Sequence, residues 1–186
     1  AKGRAKDKQL SALERHSINF IDHAPFMTLS TYAASGALDC SPRGGLPGFV
    51  KVVNENCIII PDSKGNNRLD SLVNIIETKQ VGCLFLIPGV DETLRINGRG
   101  RISTSAAHLK LFSHHKNLPK TCIEIRIKEV FLHCAKALMH SKLWSADAKI
   151  ERSKFPTIAT MLNDQLCLTE PPESQATMVA RYQQDL

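Results

Sequence analysis

Apolar positions recur along this chain first at helical spacing and then in alternation. Leu10, Leu13, Phe20 and Ile21 mark one face of an N-terminal helix over residues 10–22, which the approach to Pro25 must end. From there the period shortens to two. Phe26 to Ala33 reads as a strand, Ser35-Gly36 as a tight turn and Ala37 to Pro42 as the returning arm of a hairpin. Phe49 to Val53 and Cys57 to Ile60 flank Asn54-Glu55-Asn56 and predict a second hairpin.

Leu69, Leu72, Val73 and Ile76 return to helical spacing and predict a helix that faces a core through that stripe. Val81 to Ile87 is apolar on both faces, which calls for cover from a core on one side and from a helix or a second subunit on the other. Over Thr93 to Ile102 the residues Leu94, Ile96, Gly98, Gly100 and Ile102 share one face, and Arg95, Asn97, Arg99 and Arg101 share the other. Those arginines suit solvent, an acidic ligand or a partner subunit, and the glycines suggest a bend or barrel corner. A helical stretch from Ser105 to His115 precedes a long strand from Cys122 to His133, whose alternation slips near Glu129-Val130 as at a β-bulge. Pro171-Pro172 sets off a last short helix, Gln175 to Gln184. The chain therefore reads as mainly β, a β-barrel of antiparallel hairpins with peripheral helices.

With 186 residues there is material for one domain, expected as a flexible tail over residues 1–9 and a single domain over 10–186 with an N-terminal helix and a C-terminal helical extension. The net charge of +6 raises nucleic acid as a partner, but the basic residues are dispersed and aromatics are only 5%, so none is expected. No apolar run is long enough to span a bilayer, and residues 1–8 lack the apolar segment of a secretory signal. No membrane partner and a cytoplasmic location are the expectation. Cys40, Cys57, Cys83, Cys122, Cys134 and Cys167 form no CxxC pair, which predicts buried free thiols. His133 and His140 lie on either side of a change of secondary structure, and His114-His115 point apart, so no metal site is expected.

Three clusters carry candidate chemistry. In Asp62-Ser63-Lys64-Gly65-Asn66-Asn67-Arg68-Leu69-Asp70 an apolar strand ends and a helix begins. Asn66 or Asn67 can cap that helix, with Asp70 completing a capping box. Its first-turn N–H groups then face an anion beside Arg68 and Lys64. The second cluster, Cys40-Ser41-Pro42-Arg43-Gly44-Gly45, sets one arginine among small residues, whose glycines would let backbone approach a flat or anionic ligand. The third, His133 to Trp144, exposes Lys136, Ser141 and Lys142 on a short helix beside the only tryptophan, a residue suited to core or interface.

The ordered segments Ser41-Pro42-Arg43-Gly44, Pro47-Gly48-Phe49-Val50, Ile60-Pro61-Asp62, Gly65-Asn66-Asn67-Arg68-Leu69-Asp70-Ser71-Leu72, Leu84-Phe85-Leu86-Ile87-Pro88-Gly89, Glu92 to Arg99 and His133-Cys134-Ala135-Lys136-Ala137-Leu138 resemble the FMN-binding split-barrel proteins related to pyridoxamine 5′-phosphate oxidase. Within them, the chain is similar to a bacterial subgroup carrying the GNNRLDSL and HCAKAL motifs. The resemblance implies an antiparallel, Greek-key-like split barrel and a homodimer binding FMN in clefts shared between subunits. It implies that Asn66, Asn67, Arg68 and Arg43 hold the phosphate. The backbone of Ser41-Pro42 and of Ile60-Pro61-Asp62 lies along the isoalloxazine, and Lys136, Ser141, Lys142 and Trp144 close the cleft from the partner. A cationic Arg43 or Lys136 near the pyrimidine side would favour reduced flavin.

The flavin would carry the redox chemistry, so no catalytic side chain is named, and the substrate is an unidentified small molecule. Asn66-Asn67-Arg68 stands where the family enzyme has Ser-Arg-Lys, and its C-terminal substrate-binding Arg and His segment has no counterpart. Both departures point away from vitamin B6 oxidation and toward another FMN-dependent oxidoreductase. The alternatives are a haem-binding or haem-degrading protein with His133 or His140 as axial ligand, and a flavin sensor or carrier without turnover.

Overall fold

The structure, a computed structural model, describes residues 8–63, 65 and 68–184. The chain divides into two compact units, Ala1–Trp144 and Ser145–Leu186. The first contains helix α1 (Arg15–His23), strands β1 (Phe26–Tyr32), β2 (Leu38–Gly44), β3 (Lys51–Asn54) and β4 (Cys57–Pro61), helix α2 (Asp70–Thr78), strands β5 (Gln80–Ile87) and β6 (Val90–Ser103), helix α3 (Ala106–Lys110), strand β7 (Cys122–His133) and helix α4 (Lys136–Ser141). The strands form one seven-stranded antiparallel sheet in the order β2-β1-β5-β6-β7-β4-β3.

Period-two alternation does what the sequence requires of it. Met27 and Leu29, Val81, Cys83 and Phe85, Leu94 and Ile96, and Ile123 and Ile125 bury their side chains together with Ile58 and Ile60 in one core. Each such burial is worth about 1.5–3 kcal/mol, so the shared inward face fixes the register of these strands. The phase slip of the long strand is a bulge at Lys128: Asn97 pairs with Glu129, but the next residue, Gly98, pairs with Ile127. A Cβ on Gly98 would stand only 2.4 Å from the Arg126 carbonyl oxygen, so this tight crossing admits only glycine.

Several local expectations give way to tertiary packing. The N-terminal helix starts at Arg15 rather than near residue 10, because Leu10 bridges to Val130 of β7 and Glu14 caps the helix through its carboxylate. The helix expected over Ser105 to His115 shortens to α3. The strand buried on both faces is β4, where Ile58, Ile59 and Ile60 are all fully buried; Ile59 packs with Phe112 and Cys122 outside the main core. In β5 the outward Gly82, Leu84 and Leu86 are only half-buried. Not all thiols are buried: Cys40, Cys134 and Cys167 are exposed, while Cys83 and Cys122 lie in the two cores.

Behind β7 the carboxylate of Glu124, 3% exposed, accepts from Arg101 Nε at 2.8 Å, with Arg126 Nε at 3.5 Å and His108 Nδ1 at 3.8 Å. Arg101 is thereby committed to this chain's own acid. Arg95 instead lies over the Phe131 ring at 5.6 Å.

The second unit holds helices α5 (Ile158–Leu166) and α6 (Gln175–Gln183), capped by the side chains of Thr157 and Ser174. No residue of either helix is buried.

Candidate functional site

Strand β2 alternates outward Cys40 and Pro42 with half-buried Asp39, Ser41 and Arg43, so the last three share one face. That face meets the start of α2. Ser71 donates to Asp39 Oδ2 at 2.6 Å, Ser41 Oγ lies 3.0 Å from Ser71 Oγ, and Thr31 donates to the same Asp39 oxygen at 3.2 Å. Asn74 Nδ2 in turn donates to Thr31 at 3.0 Å. The buried side of α2 is therefore Ser71, Asn74 and Ile75, and the predicted core stripe is corrected: Leu69, Val73 and Ile76 are exposed at 55%, 48% and 67%, and only Leu72 packs partly on the core. Hydrogen bonds to Asp39 and Thr31 outweigh the apolar stripe because a polar side chain facing the barrel end finds partners there.

Arg43 reaches from the edge strand β2 to the chain just beyond β4. Its Nη1 lies 3.7 Å from Asp62 Oδ1 just beyond β4, with the two side chains 20% and 24% exposed. Asp62 is fixed from behind, accepting from the Thr121 hydroxyl at 2.9 Å while its own N–H reaches the Thr121 carbonyl at 3.1 Å. Arg43 Nε is buried and has no hydrogen-bond partner among the described residues. Leaving a buried donor unpaired costs about 1–3 kcal/mol, so this nitrogen is a standing demand for an acceptor.

The entry to α2 supplies more donors. The N-cap position is Leu69, and among the described residues no side chain caps the helix. Asn66 and Asn67, with Lys64, lie outside the described residues. The proposed box with Asp70 as its acid is corrected, because Asp70 is the first helical residue and is held by Arg68, Nε at 3.0 Å and Nη2 at 2.9 Å. First-turn N–H groups of a helix present partial positive charge to an anion.

The Ile60 side chain is in the core and Pro61 is buried, leaving only backbone for a ligand. Gly45 serves the chain's own turn: a Cβ there would meet Phe49 Cβ at 2.7 Å, so the close approach is made by that ring rather than left open. Lys136, Ser141 and Lys142 are exposed on and just after α4, and Trp144 donates its indole N–H to the Val90 carbonyl at 2.9 Å. Neither Lys136 nor Lys142 forms an ion pair among the described residues, and no hydrogen bond joins this cluster to Arg43 or Asp62 within the chain. His133 packs beside Phe131, with ring centroids 4.9 Å apart, and burial followed by the charges of Arg95 and Lys8 pushes its pKa down. Among the described residues no cluster of three or more His, Cys, Asp or Glu side chains could hold a metal.

Sequence reading missed Asp39, Ser71 and Thr121. Asp39 shares a face of β2 with Ser41 and Arg43, so period-two alternation along that strand is the signal that could have found it. Thr121 has no local signal, since it meets Asp62 across 59 residues. A separate shallow groove of about 440 Å³, bordered by Ser30, Gly82, Asn97, Gly98, Lys128 and Glu129, contains none of the predicted site residues.

The profile of the family described as pyridoxamine 5′-phosphate oxidase matches residues 13–134. The chain belongs to that family. Among curated proteins no match is found. Solved structures similar to this chain include HupZ of Group A Streptococcus, at 15% identity and a TM-score of 0.54, covering 64% of this chain and 93% of that one. A candidate pyridoxamine 5′-phosphate oxidase of Lactobacillus delbrueckii matches at 18% identity and a TM-score of 0.51, covering 67% of this chain and 98% of the other. The fold is thus the mainly β split barrel of the pyridoxamine 5′-phosphate oxidase family, with peripheral helices. The family match includes Ser41, Arg43, Asp62 and the start of α2, and ends at Cys134, ahead of the Lys136 to Trp144 cluster.

Among the described residues no helix is long and apolar enough to cross a membrane.

Proposed function

We propose that this chain is an FMN-binding flavoprotein, an oxidoreductase acting on a small molecule, and that it works as a homodimer. The observation that carries the reading is the buried Nε of Arg43, without a hydrogen-bond partner among the described residues, on the strand whose Ser41 meets Ser71 in the first turn of α2. A phosphate monoester brings acceptor oxygens and charge that answer both features at once. Haem brings no phosphate, so the donor set favours the flavin.

Arg43 would bind the phosphate from the β2 side, with Asp62 and Thr121 holding its guanidinium in place. The first-turn N–H groups of α2, Arg68, Asn66 and Asn67 would meet it from the other side. Ser41-Pro42 and Ile60-Pro61-Asp62 would border the ring through backbone. FMN, when bound, supplies one- and two-electron transfer. The protein's share is position and electrostatics, and a fixed guanidinium favours the reduced, anionic form of a nearby flavin.

Dimerisation rests on exposed apolar surface. Leu69, Val73 and Ile76 leave α2 uncovered on one side, and Phe26 stands 38% exposed beside half-buried Leu84 and Leu86 on the outer sheet face. A second copy covering these faces would bring its own Lys136, Ser141, Lys142 and Trp144 to the cleft. The chain would act in the cytoplasm without nucleic acid or membrane as partner.

The test is an absorption spectrum of the purified protein, followed by extraction and identification of the chromophore. Twin oxidised-flavin bands and released FMN are expected. A Soret band, or a colourless protein that takes up no added FMN, would overturn the reading. Light scattering on Val73→Asp/Ile76→Asp should show a monomer with reduced FMN uptake; a dimer of unchanged affinity would remove the shared cleft.

A further inference from the structure

The hydrogen bonds between β2 and α2 have a direction, and it is fixed by counting protons. Asp39 Oδ2 is a carboxylate oxygen and can only accept. It receives the single hydroxyl proton of Ser71 at 2.6 Å and that of Thr31 at 3.2 Å. Thr31, its proton spent, accepts from Asn74 Nδ2 at 3.0 Å. Ser71 likewise has no proton left for Ser41, 3.0 Å away, so in that contact Ser41 must be the donor. Ser41 then holds only lone pairs toward the face it shares with Arg43. The relay is shielded, with Thr31, Ser71 and Asn74 exposed at 3%, 4% and 6% respectively, so water competes poorly for these protons.

We infer that Ser41 is an obligate hydrogen-bond acceptor in the cofactor site, polarised by Asp39 through Ser71, and that it selects a ligand carrying an N–H or O–H donor at that point. Asp39 and Ser71 are positioning residues, and Ser41 is the one that touches the ligand. The inference deepens the flavin reading and rests on it. An oxidised flavin mononucleotide has two sources of such a donor: the imide N–H of the ring, and the ribityl hydroxyls. Its phosphate dianion has none, so Ser41 would repel the phosphate and leave it to Arg43 and the helix entry. One strand thereby sorts the two ends of the ligand, with an acceptor at Ser41 and a donor two residues on at Arg43.

The experiment measures dissociation constants of FMN, of FMN methylated at the imide nitrogen, and of FMN lacking each ribityl hydroxyl in turn, by flavin fluorescence quenching. The proteins are wild type, Ser41→Ala and Ser71→Ala. Against wild type, one donor-deleted analogue should bind roughly five- to tenfold more weakly than FMN, the size expected for one hydrogen bond. That ratio should fall to about one in Ser41→Ala, where the acceptor is gone. It should also shrink in Ser71→Ala, where Ser41 regains a free proton, although Ser41 itself is intact. A merely structural role for Ser71 would change all affinities together and leave the ratio unmoved, which would overturn the assignment. Equal ratios in wild type and Ser41→Ala would overturn it as well. If wild type binds FMN tightly, either failure leaves the flavin reading standing; if it binds none of the ligands, both fall. Thermal midpoints of the variants confirm that the comparison is made on folded protein.

Discussion

Replacing Arg43 separates its two tasks. In Arg43→Ala the Asp62 carboxylate, 24% exposed, loses its cation but keeps the Thr121 hydroxyl at 2.9 Å. A partly exposed pair at 3.7 Å contributes modestly, so the expected loss of folding stability is about 1 kcal/mol. Cofactor affinity should fall further. The variant removes a charge-assisted bond to phosphate, worth about 1.5–3 kcal/mol, and the unpaired Nε whose burial cost the ligand relieves. A 2 kcal/mol loss is about a 30-fold rise in the FMN dissociation constant. Arg43→Ala/Asp62→Asn should regain stability without regaining affinity, because it neutralises the stranded acid but supplies no donor. Arg43→Lys keeps the charge and loses the buried forked donor, so it should recover only part of the binding. Urea unfolding and fluorescence titration measure the two quantities independently. An Arg43→Ala change of less than about threefold in affinity would refute the anion-site argument, and full recovery by Arg43→Lys would show that charge alone matters and the orphaned Nε does not.

Three further outcomes follow from the geometry. Leu69→Asp places an acceptor at an N-cap position whose own side chain makes no capping bond, so it should stabilise the ligand-free protein by about 1 kcal/mol while weakening FMN binding, since its carboxylate occupies the same N–H groups; tighter FMN binding in this variant would argue against phosphate at the helix entry. Gly98→Ala places a Cβ 2.4 Å from a backbone oxygen that no side-chain rotation can relieve, and should cost at least about 2–3 kcal/mol in urea unfolding, whereas a loss under 0.5 would mean the crossing is looser than described. Burial pushes the Glu124 carboxyl up, but the hydrogen bond and charge of Arg101, with help from Arg126 and His108, bring it below its ordinary value of 4.5. The folded chain therefore binds fewer protons than the unfolded one below that pH. This contribution is complete above about 4.5 and drains as pH falls through the lowered value, so Glu124→Gln should unfold with a flatter acid limb than wild type; parallel limbs would exclude the carboxylate from acid stability.

Alternation is a local property with a period of two, and it was enough to specify the strands. Wherever the sequence alternated, as in Phe26 to Tyr32 or Leu94 to Ile102, the inward set entered the core, because one face of a sheet must leave water. The segments around Arg43 and Arg68 stood out because the family's motifs are continuous in sequence, and the family match covers both. Other features depended on partners distant along the chain. Helical spacing identified α2 but chose the wrong face, because Asp39 and Thr31 offered Ser71 and Asn74 hydrogen bonds that no helical wheel contains. The doubly buried strand proved to be β4, since Phe112 and Cys122 cover Ile59 from elsewhere in the chain. The sequence by itself determined that this is an antiparallel β fold, and it set an arginine among small residues and a donor-rich strand-to-helix junction where we propose that a phosphate binds. Only the tertiary structure decided that Arg43 spans to Asp62 with a nitrogen left without a partner among the described residues, and that Ser71 lies between Asp39 and Ser41. Both depend on where side chains from separate strands come to rest, and no spacing along one chain encodes that distance.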